Sequence, residues 1–258
     1  MGDGVGAAVS ALGLRLNPDL DVEALAAAYA RDSFVRIENI FPSDVAERLY
    51  EVLSRRTPWR FVYADPARGG AVVMTEAELA ALGPQRQAAL QQAILTRARG
   101  NVGYAYCAYP MIHALLQGWD PGHPLHQVTE FLQTPAFREF GRRVIGCPRV
   151  TKVDAQATLF RPGQFLTRHQ DVGERQERRA AYTLSFSRGW QPDWGGLLAF
   201  ISDDLNVDRA WTPGFNVLTL FDGLRTHAVT CVSPFAGDGR YSIVGWLRDD
   251  PAPLRQAV

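Results

Sequence analysis

A histidine and a carboxylate stand two residues apart at His169 and Asp171, closing the stretch FRPGQFLTRHQD that runs from Phe160 to Asp171. On an extended strand, residues i and i+2 face the same side, so imidazole and carboxylate would converge on one point. A second histidine from elsewhere would complete a facial triad for non-haem Fe(II), a donor set that leaves adjacent coordination positions open. Pro162-Gly163 reads as a turn that feeds a short strand over 164–168. The pair alone decides little. Five His and 17 Asp in 258 residues give about 0.3 His-x-Asp pairs by chance.

The order of the downstream residues is more distinctive. After the pair come Arg179-Ala-Ala-Tyr-Thr-Leu-Ser-Phe, then Trp194-Gly195-Gly196, then Thr226-His227-Ala-Val, then Arg240-Tyr-Ser242-Ile-Val-Gly-Trp246. From about Val150 to Arg248 this succession resembles the Fe(II)/2-oxoglutarate dioxygenases of the prolyl 4-hydroxylase-like superfamily. The resemblance implies His169, Asp171 and His227 as iron ligands. It also implies 2-oxoglutarate and O2 as cosubstrates, succinate and CO2 as products, and ascorbate as a candidate reductant. Asp171 itself favours hydroxylation over halogenation, because halogenases of the wider superfamily carry a small residue there. By the same resemblance Arg240 binds the C5 carboxylate of 2-oxoglutarate, a role suited to a bidentate, permanently charged guanidinium. Ser242, two residues on, would add a hydrogen bond. In relatives a tyrosine often stands nine or ten residues before the first iron histidine, whereas this chain has Phe160, which has no hydroxyl to offer. Over 180–187, one register turns Ala181, Thr183 and Ser185 toward the pocket and the other Tyr182, Leu184 and Phe186. Thr183 is the preferred cosubstrate contact and Tyr182 the alternative.

These residues need a scaffold. Beyond Val150 the chain breaks into short β-patterned runs at roughly 151–160, 164–169, 180–187, 196–202, 215–221, 226–232 and 240–248, separated by Gly, Pro and Asp. Such spacing suits a sandwich or barrel, and the resemblance makes it a double-stranded β-helix, or jelly roll. The expected fold is mainly β with flanking helices, in which residues 1–149 pack as an extension on the 150–258 core in one structural unit. In the first half, residues 1–18 are Gly- and Ala-rich and read as loosely held. A helix follows from Asp21, with Asp19 or Asp21 as its cap. Strands are expected at 34–40 and 59–63, and a helix capped by Ser43 runs to about Arg56. Thr75 caps another helix, which Pro84 interrupts and which resumes over 85–99. Residues 100–124 look irregular, and 125–144 helical with a kink at Pro135. Trp194-Gly195-Gly196 reads as a close backbone approach at a strand entry. The charged run Asp171–Arg179 is either a solvated loop or a lid over substrate. His123-Pro-Leu-His126 suits a helix start better than a second metal site.

Composition narrows the function classes. With 27 basic and 27 acidic residues the net charge is zero, so no bulk field draws nucleic acid or anionic membrane. No apolar run approaches the roughly 20 residues that span a bilayer. The N-terminus lacks a basic leader and an apolar h-region, and Gly6 stands where a myristoylation signal wants Ser or Thr. Cys107, Cys147 and Cys231 are scattered and odd in number, which suits buried thiols in a reducing cytoplasm. The expected partner is a prolyl or peptide substrate or a small amino-acid-like molecule, with the aromatic stretch Tyr104–Trp119 as a candidate pocket wall.

Overall fold

The computed structural model describes residues 12–251. Reading 1–18 as loosely held is corrected for its second part. Leu12 is 3% exposed, its N–H donates to Gln127 Oε1 and its carbonyl accepts from Arg48 Nε. Residues 1–11 lie outside the described residues.

Local chemistry sets the element ends. Helix α1 (Val22–Asp32) is capped by Asp21, whose carboxylate accepts from the Ala24 N–H, and strand β1 (Phe34–Glu38) follows. Helix α2 (Ser43–Glu51) is preceded by Pro42 as N-cap, and Ser43 makes no capping bond; the chain continues as a π-helical turn over Val52–Arg56. Strands β2 (Arg60–Ala64) and β3 (Ala71–Thr75) form a hairpin. Thr75 and Glu78 then form a reciprocal capping box on α3 (Glu76–Ala81), and α4 (Gly83–Ala98) follows.

The segment expected to be irregular instead holds strand β4 (Tyr104–Tyr109) and helix α5 (Met111–Leu116). Sequence YAYCAY alternates large and small residues rather than polar and apolar ones, so its strand period is hard to see. Residues 124–145 form two helices, α6 (Pro124–Leu132) and α7 (Pro135–Ile145), because Thr134 caps a new start with Pro135 at its first position. Strands β5 (Lys152–Val153), β6 (Gln156–Phe160), β7 (Phe165–His169), β8 (Arg178–Phe186), β9 (Leu198–Ile201), β10 (Val207–Trp211), β11 (Phe215–Phe221), β12 (His227–Val229) and β13 (Arg240–Arg248) complete the chain.

All strand pairings are antiparallel, and they form two layers of one curled sheet. The larger runs β3-β2-β4-β6-β13-β8-β11-β1, and the smaller β7-β12-β9-β10. Strands β6 and β7 are successive lengths of one chain path, interrupted at Pro162-Gly163. Strand β4 runs beside both, pairing Cys107–Tyr109 with β6 and Tyr104–Ala105 with β7. This is the jelly-roll arrangement.

Cross-strand partners share a face, and the register therefore sorts the large sheet's side chains. Leu159, Leu184, Leu218, Tyr182 and Ile243 pack outward against Phe41, Leu49, Leu53, Phe137 and Val144 of the helical layer in the main core. The opposite face looks toward the small sheet. Gly195 bears out the expected close approach: it bridges Val232 at φ +66°, and a Cβ there would lie 2.1 Å from the Cys231 carbonyl oxygen. The three cysteines are free. Among the described residues no helix is long and apolar enough to cross a membrane.

One buried side chain ties the first half of the chain to the sheet. Asn216, 3% exposed and at φ +60°, interrupts the β11 register. Its amide accepts from Phe41 N–H at 3.1 Å and donates to Phe41 C=O at 2.7 Å. Asn216→Ala would strand both backbone groups, and the expected loss of stability is about 2–5 kcal/mol, measured by urea unfolding.

Candidate functional site

The two histidines are placed by strand pairing. Strands β7 and β12 set His169 and His227 directly opposite one another, and their rings lie 4.2 Å apart. Asp171, just beyond β7, is fixed through its backbone N–H, which donates to Gly223 C=O at 2.7 Å. Its carboxylate oxygens lie 3.6 Å from His169 Nε2 and 3.4 Å from His227 Nε2. One ligand atom from each residue falls within 4.8 Å of the others, the single such group among the described residues.

Backbone carbonyls set the tautomers. His169 Nδ1 meets Thr167 C=O at 3.0 Å and His227 Nδ1 meets Arg225 C=O at 2.8 Å. A carbonyl only accepts, so each Nδ1 carries a proton and Nε2 is the atom each ring turns toward Asp171. Burial, then the neighbouring His227, lowers the His169 pKa, which keeps the imidazole in the neutral, ligating form. For Asp171 burial works to raise the pKa, but the facing His227 and His169 overcome it and the carboxyl stays below its ordinary range. Two imidazoles and one carboxylate match the facial donor set of non-haem Fe(II).

The triad opens into a cavity of about 570 Å3 that Arg240 also lines. Arg240 is 2% exposed. Its Nη1 reaches Ser242 Oγ at 3.4 Å, its Nε has no partner, and among the described residues no carboxylate pairs with it. Burial alone pushes its pKa down to about 10, so it remains charged near neutrality. A buried cation without an anion costs several kcal/mol. That uncompensated charge is the observation of this molecule that fits a dicarboxylate ligand spanning from metal to guanidinium.

The remaining sequence-derived candidates separate. Val244 pairs with Thr183 and Ser242 with Ser185, so Arg240, Ser242, Val244 and Thr183 share the cavity face. Tyr182 takes the opposite face. Its ring packs in the main core and borders the cavity from behind, and its hydroxyl donates to Asp154 C=O at 2.7 Å, so that hydroxyl is already engaged. In the aromatic stretch, Tyr104 and Tyr106 line the cavity. Tyr109 is fully buried in the core and Trp119 lies under Arg60. The 171–179 loop is pinned rather than freely solvated. Glu177, 8% exposed, accepts from Arg175 N–H and Arg248 Nη2, and Arg178 stacks 3.6 Å from the Trp246 ring centroid. His123 has the expected helix-start role, its Nδ1 accepting from Leu125 N–H.

Sequence reasoning did not single out Gln156, Thr158, Arg178 or Trp246 as cavity residues. Trp246 could have been found by extending the even spacing Arg240, Ser242, Val244 along β13. Gln156 and Thr158 emerge only once the β6–β13 register is known.

Comparisons with known proteins agree with this geometry. Residues 155–248 match the model of the 2OG-Fe(II) oxygenase superfamily. The crystal structure of a 2OG-Fe(II) oxygenase family oxidoreductase from Burkholderia pseudomallei superposes with a TM-score of 0.58 at 12% identity, covering 95% of this chain and 98% of that one. A Pseudomonas putida prolyl-4-hydroxylase superposes with a TM-score of 0.52 at 18% identity, covering 89% of this chain and 100% of that one. At these identities the likeness is one of fold. No curated protein sequence matches the chain. Residues 155–248 thus combine a match to the 2OG-Fe(II) oxygenase superfamily with that family's donor set, on a fold shared with prolyl 4-hydroxylase-like structures.

Proposed function

We propose that the enzyme hydroxylates an unactivated C–H bond of a prolyl residue or an amino-acid-like small molecule. His169, Asp171 and His227 hold Fe(II), while Arg240, with Ser242 and Thr183 beside it, holds the distal carboxylate of 2-oxoglutarate. When bound, these groups supply the oxidising chemistry, O2 placing one atom in succinate and one in the product as CO2 leaves. The chain's own contribution is orientation. Thr167 and Arg225 carbonyls aim both Nε2 atoms, Phe221 packs edge-on to His227 at 4.8 Å, and the cavity walls shelter the reacting centre. The observation that carries the reading is the buried, unpaired Arg240 in the same cavity as the triad.

Support for the substrate class comes from the cavity's aromatic wall. Tyr104, Tyr106 and Phe160 form a run of contacting rings, with centroid separations of 5.7 Å and 5.1 Å. Aromatic faces pack well against a saturated ring. The fold likeness to a protein described as a prolyl-4-hydroxylase points the same way.

The first expected outcome concerns the metal. Purified protein should bind one Fe(II) per chain, and His227→Ala should lose most of that affinity in an anaerobic titration. Full retention of iron by this variant would remove His227 from the ligand set. Arg240→Ala should weaken 2-oxoglutarate binding about 30-fold or more, as expected when a desolvated carboxylate loses its charged partner. Iron affinity should hold in that variant, and loss of iron instead would give Arg240 a structural role. Substrate is tested by succinate release across proline peptides, free amino acids and unrelated metabolites. Stimulation confined to a lipid, a sugar or a methylated nucleobase would overturn the substrate class and leave the iron chemistry in place.

A further inference from the structure

Strand β4 lies outside the segment that matches the family model, yet it sends a phenol into the cavity. Tyr106 stacks on Phe160, with centroids 5.1 Å apart and planes at 25°. Phe160 in turn lies 5.2 Å from the Arg240 guanidinium carbon. The three side chains form a layered wall, and Tyr106 alone among them bears a hydroxyl.

That hydroxyl is incompletely used. Its protein contact is with Gln156 Nε2 at 3.5 Å, the outer limit of a hydrogen bond, and there the amide donates and the phenol accepts. The phenol proton therefore has no acceptor among the described residues. Burial is the main influence raising the Tyr106 pKa, and the Gln156 contact opposes it. The charges of Tyr104 and Asp171 add to the rise, so the phenol keeps its proton.

A half-buried phenol whose proton has no acceptor, on the wall of a cavity that contains a metal triad, is suited to a ligand oxygen. Phe160 cannot meet that need. The neighbouring β6 residues Thr158 and Gln156 do not replace the phenol either. Thr158 Oγ1 donates to Ser242 C=O at 3.4 Å, and the Gln156 amide is already turned to Tyr106.

We propose that Tyr106 is a cosubstrate-binding residue whose O–H donates to an oxygen of 2-oxoglutarate in the cavity it shares with the triad and Arg240. The assignment rests on the 2-oxoglutarate reading of the site. It also gives the chain a cosubstrate contact that Phe160, lacking a hydroxyl, cannot make. The stack on Phe160 fixes the Tyr106 ring, and Gln156 turns the phenol oxygen so that its proton faces the cavity.

The test compares wild type with Tyr106→Phe, which keeps the stack and removes only the hydroxyl. Fe(II) affinity is measured first without cosubstrate. 2-Oxoglutarate is then titrated anaerobically into the iron-loaded protein, with the visible absorption of the keto-acid chelate as the signal. The expected result is an unchanged iron Kd and a 2-oxoglutarate Kd raised about 10-fold or more, the usual effect of removing a hydrogen bond to a charged group. An unchanged 2-oxoglutarate Kd would overturn the proposal, as would an equal loss of iron affinity. A wild-type protein that binds iron but no 2-oxoglutarate would overturn the underlying reading as well, and so separates the two failures.

Discussion

The antiparallel pairing of β7 with β12 is the constraint on which the centre of this molecule depends. It places His169 and His227 opposite one another before any metal arrives. Two imidazoles and a carboxylate gathered this closely are costly to bury unless their protons are allotted in advance. The Thr167 and Arg225 carbonyls make that allotment, each taking one Nδ1–H. Because both acceptors belong to the backbone, no side-chain substitution removes them directly. Preorganisation of the site is therefore a property of strand register, which the surrounding sheet holds through β4 on one side and β9 on the other.

Arg240 illustrates the opposite economy. The large sheet keeps a charged guanidinium buried with one marginal hydrogen bond to Ser242. Arg248, by contrast, is enclosed by Asp154, Glu177 and Asp250 in a network that ties the 171–179 loop to the end of β13. At the two ends of one strand, they show a completed ion cluster and an incomplete one. An uncompensated buried guanidinium lowers stability, and an anion binding beside it would return that free energy.

Much of the jelly-roll half was legible in the sequence. Runs over 215–221 and 240–248 coincide with β11 and β13, and His169, Asp171 and His227 do converge. Period-2 alternation carries such elements because one face is apolar and the other lines a cavity. Strand β10 is hidden in the sequence because it is an exposed edge with Asp208 and Arg209 at its middle. Strand β4 is hidden because its Tyr and Ala residues alternate in size and not in polarity. Tyr182 and Thr183 could not be separated by sequence alone: adjacent residues on a strand take opposite faces, and only the pairing Thr183↔Val244 says which is which.

Strand β4 also bears on how this protein can be divided. It lies beside both β6 and β7, covering the seam at which the chain passes from the large sheet to the small one. The length of chain recognisable by descent, residues 155–248, is thus shorter than the length that closes the fold. Cut at the family boundary, the protein would present two unpaired strand edges and a cavity open along one wall. The heritable module and the folding unit are different objects here, and strand exchange with a neighbouring molecule is the failure that such a cut invites.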